Sequence, residues 1–148
     1  MIVFGADAHK SSHSIAAVDA RTGELLSDGT IAVGVRGFEE ALAWAGGVSA
    51  ERVWALEDCR HVSGSFERFL VARGERVVRV ATRLMAGERR AGRDRGKSDR
   101  IDAIAVARAA LREGVERLPG RAAGGRRTRD PAARRSPRTA GRNAYRHL

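Results

Sequence analysis

Two aspartates three residues apart, Asp99 and Asp102, precede an alanine-rich run that extends to Leu111. Ser98 is a favourable N-cap and alanine favours helix, so the sequence predicts a helix from Ser98 to about Glu113. Residues three apart share one helix face. The helix dipole tolerates two carboxylates at its N-terminus, but they still repel each other, and a divalent cation would relieve that repulsion. Acids here also serve as plain caps, so a functional site requires further carboxylates.

Two further carboxylates end short apolar runs that read as buried strands. Residues 2–6 lead into Asp7, and residues 52–56 lead into Glu57. Because ligands gather outside the carboxyl ends of parallel strands, we expect these acids and the aspartate pair to meet there. Asp58 is the alternative to Glu57, since alternation along a strand lets only one of them face Asp7; strand position favours Glu57.

Four converging carboxylates would suit Mg²⁺, which prefers carboxylate and water ligands. Two such ions about 3.5–4 Å apart would stabilise both the attacking and the leaving oxygen of a phosphodiester. The residues predicted to hold them are Asp7, Glu57, Asp99 and Asp102.

The elements around these acids predict an α/β domain. Strands at residues 2–6, 14–19 and 25–32 have short connections, which indicates an antiparallel meander. A short amphipathic helix is predicted at residues 37–45. The strand, helix and strand between residues 52 and 80 indicate a parallel pair with a crossover. The prediction is a mixed five-stranded sheet flanked by helices.

A basic segment without periodicity precedes the aspartate pair. Its position favours contacts to nucleic-acid phosphates, with a solvated loop as the alternative. The candidate side chains are Arg83, Arg89, Arg90, Arg93, Arg95 and Lys97.

The net charge of +10 is concentrated at the C-terminus, where residues 121–148 hold nine arginines and one aspartate. From residue 119 onward the chain has no Ile, Val, Phe, Met or Trp, and such a segment cannot bury a core. We therefore expect a domain at residues 1–118 and a disordered Arg-rich tail at residues 119–148.

Other classes of site and location find little support. The single cysteine, Cys59, excludes a disulfide framework and a paired-cysteine zinc site, and no Cys/His/Asn arrangement suggests a nucleophile. His9, His13 and His61 lack paired zinc-ligand spacing. No signal peptide or membrane-spanning run is visible, which predicts a cytoplasmic protein with no membrane partner.

Three segments together resemble the N-terminal domain of the IS110-family transposases. They are residues 4–10 (FGADAHK), 55–61 (ALEDCRH) and 96–103 (GKSDRIDA). The resemblance covers roughly residues 2–118 and implies a RuvC-like domain with a ribonuclease-H fold. It also implies a D-E-D-D tetrad with Mg²⁺, for which Mn²⁺ could substitute. The positions that match the tetrad are Asp7, Glu57, Asp99 and Asp102.

The same resemblance implies DNA cleavage and recombination in transposition, by homo-oligomers guided by an RNA that the element encodes. The family continues into a second domain bearing a catalytic serine, and residues 119–148 do not match it. We therefore expect an N-terminal fragment that is inactive alone, with a tail that is either an out-of-frame product or a genuine basic arm. The alternatives are a non-catalytic nucleic-acid-binding remnant and an actin-like ATPase-fold domain.

Overall fold

The computed structural model describes residues 1–85 and 98–121, with the backbone alone described for Arg60 and residues 98–101. In these residues six strands form one mixed sheet with the spatial order β3-β2-β1-β4-β5-β6. The strands are β1 (Ile2–Ala8), β2 (Ser12–Asp19), β3 (Leu25–Ala32), β4 (Arg52–Glu57), β5 (Val77–Val80) and β6 (Gly120–Arg121). The helices are α1 (Val35–Val48), α2 (Arg60–Ala72), α3 (Ser98–Glu113) and a 3₁₀ helix (Thr82–Met85).

The connections explain the strand directions. Short turns join β1 to β2 and β2 to β3, so both pairs are antiparallel. Helix α2 carries the chain from β4 to β5, and both β1–β4 and β4–β5 are parallel. The five predicted strands and three predicted helices are all present, and the predicted mixed sheet is confirmed. The two-residue β6, antiparallel to β5, is an addition that lies just beyond residue 118.

Alternate strand residues build two cores on opposite faces of the sheet. On one face Phe4, Trp54 and other apolar side chains pack with Phe38 of α1 and Phe66 of α2. On the other face valines of β1, β2, β4 and β5 pack with the alanine-rich α3. Because alanine is small, α3 can approach the sheet closely, and it buries most of its length there.

The remaining predicted regions lie largely outside the described residues. This holds for the tail beyond Arg121, and for Arg89, Arg90, Arg93, Arg95 and Lys97 of the basic segment. Arg83 is described, and it is an exposed residue of the 3₁₀ helix that follows β5.

Candidate metal centre

Asp7 and Glu57 lie side by side at the carboxyl ends of two parallel strands. The register pairs Ala6 of β1 with Leu56 of β4, so the next residues along each strand are neighbours. Alternation places both side chains on the face that carries α3, because Val3 and Val53 belong to that core. Both carboxylates are buried, with 4% and 7% of each residue exposed.

Asp58, the alternative to Glu57, lies in a different environment. It is exposed, and its charge acts on Arg79 of β5. Glu57 and Asp58 are consecutive residues, so strand alternation directs their side chains to different environments.

Helix α3 brings Asp102 to the same edge of the sheet. The helix crosses β1 at Gly5, where a Cβ atom would lie 2.7 Å from the backbone nitrogen of Ala107 and against the carbonyl of Ala103. This close approach positions Asp102, the residue before Ala103, so that its charge acts on Asp7. Asp99 lies one turn earlier in α3, but its side chain is outside the described residues.

The pKa of Asp7 reflects its burial and the charged groups around it. This pKa is raised to about 6, mainly by burial; His9 opposes the rise, and the charges of Asp102 and Glu57 add to it. Asp102 and Glu57 are therefore both close enough to Asp7 to repel its carboxylate when ionised. Such a cluster is stabilised either by a proton or by a bound cation.

His9 is the side chain that pairs with Asp7 in the structure. Its Nε2 lies 2.8 Å from Oδ2 of Asp7, and its side chain is half-exposed in the turn between β1 and β2. That oxygen is buried, and among the described residues its contact with His9 leaves it with acceptor capacity to spare. A buried carboxylate oxygen with unused acceptor capacity is a group that a metal ion could satisfy.

The donor types and their placement therefore fit a hard divalent cation. In the part of the chain that the structure describes, no three His, Cys, Asp or Glu side chains are close enough together to hold a metal ion by themselves. The sequence predicts the carboxylate of Asp99 as the further ligand of this cluster.

The other candidate ligands lie apart from this cluster. His13 is fully buried, stacks on Phe38 and donates from Nδ1 to the carbonyl of Ser12. Cys59 precedes α2 and is partly exposed, and His61 is exposed. Sequence reasoning missed two positioning residues, Gly5 and His9. A glycine inside a predicted strand was the available signal for Gly5, because it often marks a close backbone approach.

A protein-family model described as a transposase, of the IS110 type with a DEDD motif, matches residues 4–123. The chain belongs to this transposase family. The match extends over most of the chain and includes all four predicted acids. No curated protein matches the sequence.

Solved structures agree with this assignment at the level of the fold. Thermus thermophilus RuvC is 12% identical and superposes with a TM-score of 0.59, covering 82% of this chain and 100% of that one. T. thermophilus RuvC in complex with a Holliday junction substrate is 13% identical, with a TM-score of 0.56, covering 82% of this chain and 99% of that one. The transposase chain therefore has a RuvC-like fold, as the resemblance predicted.

No helix among residues 1–85 and 98–121 is long and apolar enough to cross a membrane.

Proposed function

We propose that this chain is the N-terminal catalytic domain of an IS110-type transposase and acts in divalent-metal-dependent cleavage and rejoining of DNA strands. The observation that carries the proposal is the convergence of Asp7, Glu57 and Asp102 at one edge of the sheet. Membership of the transposase family supports DNA transposition over the actin-like ATPase alternative.

Asp7, Glu57, Asp99 and Asp102 would hold the metal. Mg²⁺ is the expected ion, bound as a pair by analogy with two-metal phosphodiester chemistry. When bound, the metal supplies charge stabilisation at the phosphodiester oxygens. Asp7 must be ionised to act as a ligand, and its pKa of about 6 allows this at neutral pH. Helix α3 fixes Asp102 against β1, and burial of Asp7 and Glu57 limits competition from water.

DNA is the proposed partner, supported by the transposase family and by the RuvC structure solved with a Holliday junction. A guide RNA and further copies of the chain are proposed from the family resemblance alone. The basic segment from Arg83 to Lys97 is proposed to contact nucleic-acid phosphates next to the acids.

Calorimetric titration of the full chain with Mn²⁺ or Mg²⁺ tests the metal site. We expect saturable binding by the wild-type protein and its loss in Asp7→Asn and Asp102→Asn. Asp58→Asn is the matched control, because this neighbouring acid faces away from the cluster. Equal binding by wild type and Asp7→Asn would reject the site, as would equal loss in Asp58→Asn.

A further inference from the structure

A second feature near the proposed metal centre is a cavity of about 360 Å³. It lies between the carboxyl ends of β4 and β5, the 3₁₀ helix and the segment after α3. Its polar lining consists of Asp58, Arg79, Arg83, Glu113 and Arg117, and Pro119 adds apolar surface. A cavity of this size accommodates a small ligand or one unit of a polymer.

The three arginines of this cavity differ in whether a carboxylate neutralises their positive charge. Arg79 is buried and forms a bidentate ion pair with Glu67, at 2.8 Å and 2.6 Å. Arg83 and Arg117 are exposed, and no carboxylate among residues 1–85 and 98–121 pairs with either guanidinium. Glu113 already contacts Arg112 at 3.6 Å. Two guanidinium groups thus face one cavity with donors available for an anion.

The wall of the cavity is linked to the proposed metal centre along the carboxyl ends of β4 and β5. Asp58 in its wall directly follows Glu57, and Glu57 pairs in register with Val80, the last residue of β5. Neighbouring strands lie about 4.8 Å apart. A nucleic-acid strand that runs from the acids along the carboxyl ends of β4 and β5 would therefore reach the cavity.

We propose that this cavity binds a phosphodiester group of the nucleic-acid strand held at the metal centre, with Arg83 and Arg117 as its contacts. The inference rests on the proposed function. Arginine recognises phosphate oxygens through its planar array of donors. Asp58 and Glu113 in the same wall oppose a doubly charged free phosphate more than a singly charged diester, which selects the polymer.

Fluorescence anisotropy with a short labelled single-stranded DNA tests the cavity, using the full chain in EDTA so that the metal centre does not contribute. We expect Arg117→Gln to weaken binding about tenfold at low salt and to reduce the slope of log affinity against log salt by about one. Arg36→Gln is the matched control, because Arg36 is also exposed, lies on α1 away from the cavity, and forms no ion pair with residues that the structure describes. Every variant carries the same Arg-rich tail, so the contribution of the tail to DNA binding cancels in the comparison.

A second pair of variants should change DNA affinity in the opposite direction. Glu113→Gln removes a negative charge from the cavity and should tighten binding, whereas Glu116→Gln, which lies outside it, should change affinity less. Equal effects of Arg117→Gln and Arg36→Gln would overturn the proposal, and so would displacement of the DNA by inorganic phosphate at the same concentration in wild type and Arg117→Gln. Since EDTA is present, these outcomes do not depend on the metal-binding result.

Discussion

Gly5 of β1 lies directly against the backbone of Ala103 in α3. A Cβ atom at this position would meet the Ala103 carbonyl and would lie 2.9 Å from the Cβ of Ala107. The helix therefore packs on the bare backbone of the strand that carries Asp7. This contact sets the separation between Asp7 and Asp102, so a residue without chemistry of its own determines the geometry of the acids.

We predict that Gly5→Ala displaces α3 and weakens metal binding. Inserting a methyl group into a packed contact costs about 1–3 kcal/mol of the free energy of unfolding. Thermal denaturation should show that loss, and calorimetry should show weaker Mn²⁺ binding, because Asp102 moves with the helix.

Gly46→Ala is the control for this substitution. Gly46 lies inside α1, and nothing within 4 Å would meet its added Cβ. Alanine should stabilise this helix by about 0.5–1 kcal/mol and leave metal binding unchanged. A Gly5→Ala protein with wild-type Mn²⁺ affinity would contradict the role of this contact.

The pKa of Asp7 predicts how stability depends on pH without metal. Its folded value of about 6 lies above the ordinary 3.8, so the folded state binds more protons between these values. The free energy of unfolding therefore falls as pH rises from about 4 to about 6. A shift of about two pKa units corresponds to about 3 kcal/mol.

Asp7→Asn should abolish this dependence. In EDTA the variant should be more stable than wild type at pH 8, by up to about 3 kcal/mol, and equally stable near pH 3. Denaturant unfolding at both pH values measures the difference. Saturating Mg²⁺ should then stabilise wild type alone. A constant difference across this pH range would show that Asp7 does not titrate as described.

Much of this site follows from periodicity in the sequence. The apolar runs before Asp7 and Glu57 predicted both strands, and strand position together with the family pattern favoured Glu57 over Asp58. The contact of α3 with Gly5 could not be derived, because it depends on which strand the helix crosses. The two-residue β6 also carries no periodic signal. The basic segment beyond Met85 and the side chain of Asp99 lie outside the described residues, so those predictions stay untested.

His9 is predicted to hold the carboxylate of Asp7 in place for metal binding. Its Nε2 lies 2.8 Å from Oδ2, and it lowers the pKa of Asp7 against the effect of burial. Residues that orient a ligating carboxylate contribute about tenfold to a hundredfold in metal affinity. His9→Ala should weaken Mn²⁺ binding by about tenfold at neutral pH, with a larger deficit at pH 6.

His9→Gln should restore part of the affinity, because its amide nitrogen can also donate to the carboxylate. The exposed His61 provides the control, and His61→Ala should bind Mn²⁺ like wild type. Melting temperatures in EDTA separate loss of the contact from loss of the fold. Unchanged affinity in His9→Ala would show that the contact has no role in binding the ion.

His13 makes the folding stability depend on pH in the opposite direction to Asp7. The ring is fully buried, stacks on Phe38 and leaves Nε2 without a hydrogen-bond partner in the described residues. Burial lowers the pKa of His13 below 6.5, so the unfolded state binds more protons, and stability is lost as pH falls below about 6.5. His13→Leu removes this linkage, so its stability relative to wild type should improve on acidification from pH 7 to pH 5. Comparing the two proteins in EDTA cancels the contribution of Asp7, and a relative stability independent of pH would refute the prediction.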